Sequence, residues 1–340
     1  MKRLINILKN INPSQIDNNS LFIKLSGDAS DRKFYRIKLD SMDSFVLMIN
    51  PEPFDKNKFS YLIQYDLFSE LKMPVAKIYY VDEERGWILM DDLGDTTLQL
   101  HLANCNKDEF KQLYRQAIEL LFKFHKIDTR LIIKHNKAFR LVFDTQKLFN
   151  ELLFFFEHFF KNMLNFSIDY NGEKILKKGF YFLANFLANR RRIMVHRDYH
   201  SRNIMVKNGE LYLIDFQDAR MGPRTYDLVS LIRDSYIDIG DELRNELIKF
   251  FELEVGAINR KELIYMSLQR NLKAIGTFAY QYSVMKRDLY IEFIPRTINY
   301  IIENLYLLDD MDEFRLILRD YIEEAGERIN KLITGRRNKR

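Results

Sequence analysis

Cysteine is almost absent: Cys105 is the single one in 340 residues. One thiol cannot close an intrachain disulfide or build a cysteine metal cluster, and it is consistent with a reducing compartment. Long apolar runs are missing too. The greasiest stretch, Leu152 to Phe160, is interrupted by Glu157 and His158 and falls far short of a membrane span. Met1 to Asn10 starts with charge and breaks its apolar run at Asn6, Lys9 and Asn10, which makes a poor signal peptide. The expectation is a cytoplasmic protein, a monomer with no membrane partner. The net charge is only +5. Part of it sits in the frayed tail Arg336-Arg337-Asn338-Lys339-Arg340, and Arg190-Arg191-Arg192 reads as a solvated helix end. Neither is the broad basic patch that nucleic acid requires. There is no internal repeat and no low-complexity linker. A chain with 47% hydrophobic and 30% charged residues is an ordinary globular one, long enough to bury a large core in two lobes.

What is present is concentrated between residues 195 and 218. His196-Arg197-Asp198 is followed, five residues after the Asp, by Asn203, and Asp215 ends an apolar strand-like run. This is the spacing of a kinase catalytic loop followed by the metal-binding Asp of a D-F-x turn. Phosphoryl transfer needs in-line positioning and charge neutralisation more than covalent help. Asp198 suits the carboxylate that accepts or orients the proton of the attacking hydroxyl. Mg²⁺ prefers hard oxygen ligands, and Asn203 and Asp215 offer an amide oxygen and a carboxylate. Ile193-Met194-Val195 and Ile204-Met205-Val206 flank the loop as strands. Asn208-Gly209 is a tight hairpin signal, and Leu211 to Ile214 returns. Asp198, Asn203 and Asp215 can thus converge at one end of a small ribbon.

The rest of the pattern is α+β and bilobal. Residues 1–92 form a small β-rich N-lobe, with strands at Leu21 to Leu25, Phe34 to Leu39, Phe45 to Ile49, Val75 to Val81 and Trp87 to Met90. One helix, Asn57 to Leu71, interrupts them. Residues 93–340 form a larger, mostly helical C-lobe that contains the catalytic segment 193–218. Its apolar periodicity predicts helices at Asp108 to Phe124, Leu148 to Leu164, Ile175 to Leu187, Tyr226 to Ile232, Glu242 to Phe251, Arg260 to Tyr282, Pro295 to Leu308 and Asp312 to Ile333. The Phe stripe at 154–160 has the spacing of helix-packing core.

Further absences narrow the class. Only eleven residues, 216–226, separate Asp215 from Asp227, leaving no room for an activation loop with an A-P-E anchor. Gln217 replaces the D-F-G glycine. A constitutively assembled site suits a metabolic enzyme. The phosphate loop has one glycine, Gly27, instead of G-x-G-x-x-G. Met48 stands where the third strand should carry a phosphate-binding lysine. Arg32 or Lys33 is expected to supply that cation, helped by backbone N–H groups and by Ser30.

His196-Arg197-Asp198-Tyr199-His200-Ser201-Arg202-Asn203 resembles the H-x-D-x-H-x-x-N loop of the aminoglycoside phosphotransferase family. A narrower resemblance is to bacterial anomeric kinases of N-acetylmuramate and N-acetylglucosamine. It is carried by Gly27-Asp28-Ala29-Ser30 with Arg32 and Tyr35-Arg36, Glu84-Arg85-Gly86, Asp91-Asp92-Leu93-Gly94-Asp95, Ile214 to Ala219, and Gly222-Pro223 with Thr225-Tyr226-Asp227-Leu228. Gln269-Arg270-Asn271-Leu272-Lys273, Gly276, Phe278-Ala279 and Ile294-Pro295-Arg296 complete it. The resemblance implies a protein-kinase-like fold with ATP in the cleft and an amino sugar phosphorylated at its C1 hydroxyl, feeding cell-wall recycling. The backbone of Asp91 and Leu93 would bind adenine, and Asp227 would accept hydrogen bonds from the catalytic-loop backbone.

His200 either orients the loop through a local hydrogen bond or touches substrate. For the sugar the candidates are Arg202, Gln217, Arg233, Arg270 and Asn271, with Asp218 and Asp234 beside them. Arg202, Arg233 and Arg270 rank first, because arginine can grip a lactyl carboxylate with two prongs. Two alternatives stay open: an antibiotic or other small-molecule kinase on the same scaffold, and a nucleotide-binding pseudokinase, which Met48 favours and the intact Asp198, Asn203 and Asp215 oppose.

Overall fold

Alternation builds the first part of the chain. In Lys33–Lys38, Tyr35 and Ile37 are buried on one side, while Phe34 and Arg36 point to the other. The computed structural model describes residues 6–8, 21–25, 31–38, 44–127 and 141–337. Five antiparallel strands, β1 (Phe22–Leu25), β2 (Lys33–Lys38), β3 (Ser44–Ile49), β4 (Ile78–Asp82) and β5 (Trp87–Asp91), pair in the order β1-β2-β3-β5-β4. The register aligns Tyr35 with Leu47 and Leu47 with Leu89. These residues, with Leu8, Phe22, Ile37 and Trp87, make one core face. The other face carries Phe34, Met48 and Ile88 in one row and Arg36, Val46 and Met90 in the next. Helix α1 (Ser60–Glu70) places its Tyr61 hydroxyl 3.5 Å from the Met90 sulfur.

Contacts divide the chain into two compact units, Met1–His101 with Ile204–Gln217, and Leu102–Asn203 with Asp218–Arg340. The hairpin of β7 (Ile204–Lys207) and β8 (Glu210–Leu213) therefore groups with the sheet. Leu213 N–H donates to the Pro74 carbonyl at 2.7 Å, and Val206 N–H donates to the Thr96 carbonyl at 2.9 Å. Asn208 and Gly209 both have positive φ, as the tight turn between these strands demands.

The second unit is helical. In chain order it holds α3 (Lys107–His125), α4 (Thr145–Phe155), α5 (Tyr170–Ala188), α6 (Tyr226–Ile232), α7 (Gly240–Val255), α8 (Arg260–Ser283), α9 (Ile294–Leu307) and α10 (Asp312–Arg337). A short α2 (Leu98–Leu102) runs across the boundary between the units. After α4 the chain widens into a π-helical segment, Phe156–Met163. Phe155, Phe156, Phe159 and Phe160 are buried there, as the stripe predicts, whereas Phe154 is partly exposed. Helix α8 packs on α4 so closely that a Cβ on Gly276 would stand 2.7 Å from the Phe155 Cα. Asn259 caps α8 by accepting from the backbone N–H of Lys261 and Glu262.

Strand β6 (Arg192–Val195) flanks the loop as expected. It pairs with β9 (Arg220–Pro223), a strand not foreseen from the sequence, with Val195 opposite Arg220 and Ile193 opposite Gly222. Glycine and proline are poor strand formers, so Arg-Met-Gly-Pro gave no strand signal. The glycine is needed for packing: a Cβ there would lie 2.8 Å from the Phe143 ring and 2.9 Å from Val195. No helix among the described residues is long and apolar enough to cross a membrane.

Candidate functional site

In the second unit the loop after β6 is held from its backbone. Asp227, in the first turn of α6, accepts from His196 N–H at 2.6 Å and from Arg197 N–H at 3.0 Å. Burial pushes the Asp227 carboxyl up, and the two amide donors pull it back. Arg197 has a φ of 84°, a left-handed conformation that non-glycine residues rarely adopt. The two bonds to Asp227 fix that unusual corner. Beyond it, Tyr199 donates its hydroxyl to the Ala117 carbonyl at 2.7 Å, and Asp234 accepts from Ser201 N–H at 2.9 Å. Asp234 also accepts from Tyr236 N–H at 2.9 Å, so its two oxygens serve the backbone.

Asp198 stands in this frame. Its carbonyl accepts from His200 N–H at 3.1 Å and from the Asn203 side-chain amide at 3.0 Å. Its carboxylate faces three cations: Lys273 Nζ at 2.7 Å, Arg270 at 3.5 Å and Arg197 at 4.0 Å. Burial would raise this carboxyl, but Lys273, Arg197 and Arg270 override burial and hold it well below the usual carboxylate range. Burial pulls the Lys273 ammonium down against the attraction of Asp198. Arg197 also pairs with Asp218 at 2.7 Å, and Arg270 donates to the Ser230 hydroxyl at 2.9 Å.

A cavity of about 60 Å³ opens beside Asp198. His200, Arg233, Asp234, Arg270, Lys273 and Thr277 are among its walls. The buried His200 ring meets Tyr236 edge-on at 5.1 Å. Burial, and then Arg270, lowers the imidazole to about 3, so it is neutral near pH 7. Its backbone joins the loop's hydrogen bonding, since Asn203 N–H donates to the His200 carbonyl at 2.9 Å.

The predicted sugar residues separate. Arg270 and Arg233 line the cavity, although the Arg233 guanidinium is also paired with Glu303. Arg202 is not a wall: its guanidinium packs against the rings of Tyr236 and Phe293, 4.3 and 4.7 Å from their centroids. Asn271 is buried and donates to the Arg233 carbonyl at 3.2 Å. Gln217 belongs to the first unit and donates to Asp215 at 2.7 Å. Lys273 went unremarked as a site residue. Its signal was present, because Arg270 and Lys273 fall one turn apart on the buried face of a long helix.

In the first unit Asp215 has a φ of 62°. The next residue, Phe216, anchors it by stacking on Tyr61 at 5.0 Å and packing on Phe68 at 5.1 Å. Burial raises the Tyr61 phenol, and both Arg32 and Asp215 act on it electrostatically. The Arg32 guanidinium lies 5.5 Å from the Phe59 ring centroid and 5.8 Å from that of Tyr61. Arg32 is therefore on the side of the sheet that carries Met48 and Met90. Lys33 alternates with Tyr35 and Ile37 and belongs to the opposite side. Gly27 and Ser30 lie outside the described residues. Asp91 donates its N–H to the Lys77 carbonyl at 2.9 Å, so that group is not an adenine donor. Leu93 is buried.

Arg36 ties the connector to the sheet. It makes two-pronged contacts to Asp92 at 2.5 and 3.0 Å and to Asp95 at 2.8 and 3.0 Å. Asp92 also accepts from Ser44 and from Gly94 N–H, at 2.7 and 2.9 Å. It thus closes its local turn and anchors a strand at once.

Residues 22–260 match the model of the phosphotransferase enzyme family. The chain belongs to that family. It is similar to an N-acetylmuramate/N-acetylglucosamine kinase of Neisseria meningitidis serogroup B, with 29% identity over 81% of this chain and 83% of that protein. A Pseudomonas putida protein of the same name is 28% identical over 92% of this chain and 88% of its own length. Among solved structures, an ADP-bound aminoglycoside phosphotransferase superposes with a TM-score of 0.58 at 16% identity, covering 89% of this chain and 97% of that one. A choline/ethanolamine kinase family protein from Mesorhizobium loti gives 0.57 at 12% identity, over 94% and 98%. The fold is the protein-kinase-like α+β fold, and the chain is a small-molecule kinase with a hydroxyl acceptor.

Proposed function

We propose that this phosphotransferase uses ATP to phosphorylate the anomeric C1 hydroxyl of N-acetylmuramate, N-acetylglucosamine or both, in the cytoplasm, where cell-wall sugars are recycled. The carrying observation is the charge of the cavity at Asp198. Its walls bear Arg233, Arg270 and Lys273 against Asp198 and Asp234, and Asp234 is taken up by amide donors. With Arg233 paired to Glu303 the wall is near charge balance and lacks the excess of carboxylates that a polycation calls for, so it suits a neutral or anionic acceptor. That weighs against an aminoglycoside and for an N-acetylated sugar. The volume of about 60 Å³ accommodates one edge of a sugar, the end that bears the reacting hydroxyl. The names of the curated relatives point the same way.

In this reading Asp198 accepts the hydrogen bond of the acceptor hydroxyl and orients it. Asn203 and Asp215 would hold Mg²⁺. The donor set fits: an amide oxygen and a carboxylate are hard ligands, and the Asn203 nitrogen is committed to the Asp198 carbonyl, which makes the oxygen the ligating atom. The metal would neutralise phosphate charge. Arg32, on the Met48 side of the sheet, takes the part of the missing lysine. Arg270 and Arg233 are the arginines set to meet a lactyl carboxylate. Arg202, packed against Tyr236 and Phe293, supports the Tyr236 wall of the cavity.

The test is a coupled ADP-release assay with MgATP and N-acetylmuramate, N-acetylglucosamine, glucosamine, glucose and kanamycin, followed by phosphorus NMR of the product. The expected product is the 1-phosphate of an N-acetylated sugar. Phosphate on kanamycin, or on a hydroxyl other than C1, overturns the reading.

A further inference from the structure

We infer that Lys273 is a catalytic residue: its ammonium holds one oxygen of Asp198 and, during transfer, stabilises the negative charge gathering between the acceptor oxygen and the phosphoryl group. This rests on the kinase activity and not on which sugar is used.

The geometry of the cavity wall leads to it. Lys273 Nζ donates to Asp198 Oδ1 at 2.7 Å, and Arg270 approaches the same oxygen at 3.5 Å. One carboxylate thus serves two cations, both largely withdrawn from water, with side chains 13% and 9% exposed. Arg197 has Asp218, Arg233 has Glu303, and the buried Glu151 lies 3.8 Å from Arg197 and attracts Lys273 and Arg270 through space. Lys273 and Arg270 share one carboxylate oxygen by contact, and an anion arriving in the cavity would gain from both in a setting poor in water. The phosphoryl group in flight is that anion. An ammonium carries three donors, and the bond to Asp198 uses one of them. Both Lys273 and Asp198 are walls of the cavity.

Helix α8 makes the placement rigid. Gly276 seats it against Phe155, and Asn259 caps it. Lys273 and Arg270 follow at helical spacing, so the two cations reach Asp198 from one surface.

The step balances. The acceptor oxygen forms a bond to the γ-phosphorus. The bond from that phosphorus to the oxygen bridging to the β-phosphate breaks, and its electron pair leaves with ADP. The hydroxyl proton passes to the Asp198 oxygen not held by Lys273 and then to solvent. Lys273 keeps its protons throughout.

Lys273→Met, Lys273→Arg and Lys273→Ala test the role by steady-state kinetics with MgATP. The acceptor is the best one the wild type uses; if it uses no sugar, the sugar reading falls and the comparison is made on ATP turnover to water. Removing one preorganised donor from the transferring group predicts a kcat loss of about 10²- to 10³-fold for Lys273→Met. The KM for ATP should stay within about threefold, since the contact belongs to the transition state. Lys273→Arg should recover a measurable part of the loss. Added ethylammonium should raise the kcat of Lys273→Ala with saturation. A Lys273→Met kcat within about twofold of wild type overturns the inference, because transition-state donors are worth far more. A loss that neither arginine nor the amine restores also overturns it and leaves Lys273 a structural partner of Asp198.

Discussion

Asp227 is the residue whose removal tests the architecture of the loop most directly. Its two oxygens each take one backbone N–H, of His196 at 2.6 Å and of Arg197 at 3.0 Å, in a setting where Asp227 is 4% exposed. Asp227→Asn keeps the shape but replaces one acceptor with an NH₂ donor. One of the two amides then faces a donor and loses its partner. An unsatisfied buried amide costs about 1–3 kcal/mol, and the second bond is weakened by loss of charge. Arg197, at a φ of 84°, holds a conformation worth about 1–3 kcal/mol of strain, and these bonds oppose its relaxation. The net expectation is a destabilisation of about 3 kcal/mol, with Tm lower by roughly 5–10 °C. Activity should fall further than stability explains, because Asp198 follows Arg197 directly. At a temperature where Asp227→Asn is fully folded by circular dichroism, kcat should be reduced at least about tenfold, a barrier change of about 1.4 kcal/mol. Asp227→Ala should behave alike. If Asp227→Asn melts within about 1 °C of wild type and retains its kcat, the loop is held by something other than these two bonds, and the reasoning fails.

Asp198→Asn should lower kcat by about 10²-fold or more, the range of general-base contributions, while MgATP affinity by isothermal titration stays near wild type. Near-normal turnover would remove Asp198 from its role. Arg32→Ala should weaken MgATP binding by about tenfold, or about 1.4 kcal/mol, whereas Lys33→Ala, on the far side of the sheet, should change it less than about twofold; the reverse order would reassign the cation. Acid should destabilise the second unit through His125, which burial lowers to about 4 against a backbone hydrogen bond to Arg224. The unfolded chain takes up this proton near pH 6.5 and the folded chain only near pH 4, so stability present above pH 6.5 is lost as pH falls between those values, by about 2 kcal/mol after allowance for solvent screening. Urea titrations of wild type and His125→Gln should converge towards pH 4; parallel curves would refute it. Gly276→Val should cost several kcal/mol, about the range of severe overpacking, because the Phe155 backbone cannot yield as a flexible side chain would.

What was legible in the sequence was whatever a local pattern encodes. Alternation in Phe34 to Leu39 gave β2, and Asn208-Gly209 gave the turn between β7 and β8, because period and turn chemistry act over a few residues. The spacing of Asp198, Asn203 and Asp215 was legible because it lies within one short stretch. Strand β9 was hidden, since Gly222 answers to the Phe143 ring, far away in the chain, and not to strand propensity.

The partner of Asp198 was hidden for the same reason. Lys273 lies 75 residues further on, and Arg36 meets Asp92 across 56. Local spacing cannot say which buried cation answers which carboxylate. It can say that a cation on the inner face of an apolar helix must find an anion. Arg270 and Lys273, one turn apart on α8, pose that demand twice; Asp198 answers it by contact and the buried Glu151 through space. The donors that Lys273 keeps beyond its bond to Asp198 are the physical reason to look for a further partner in the group being transferred.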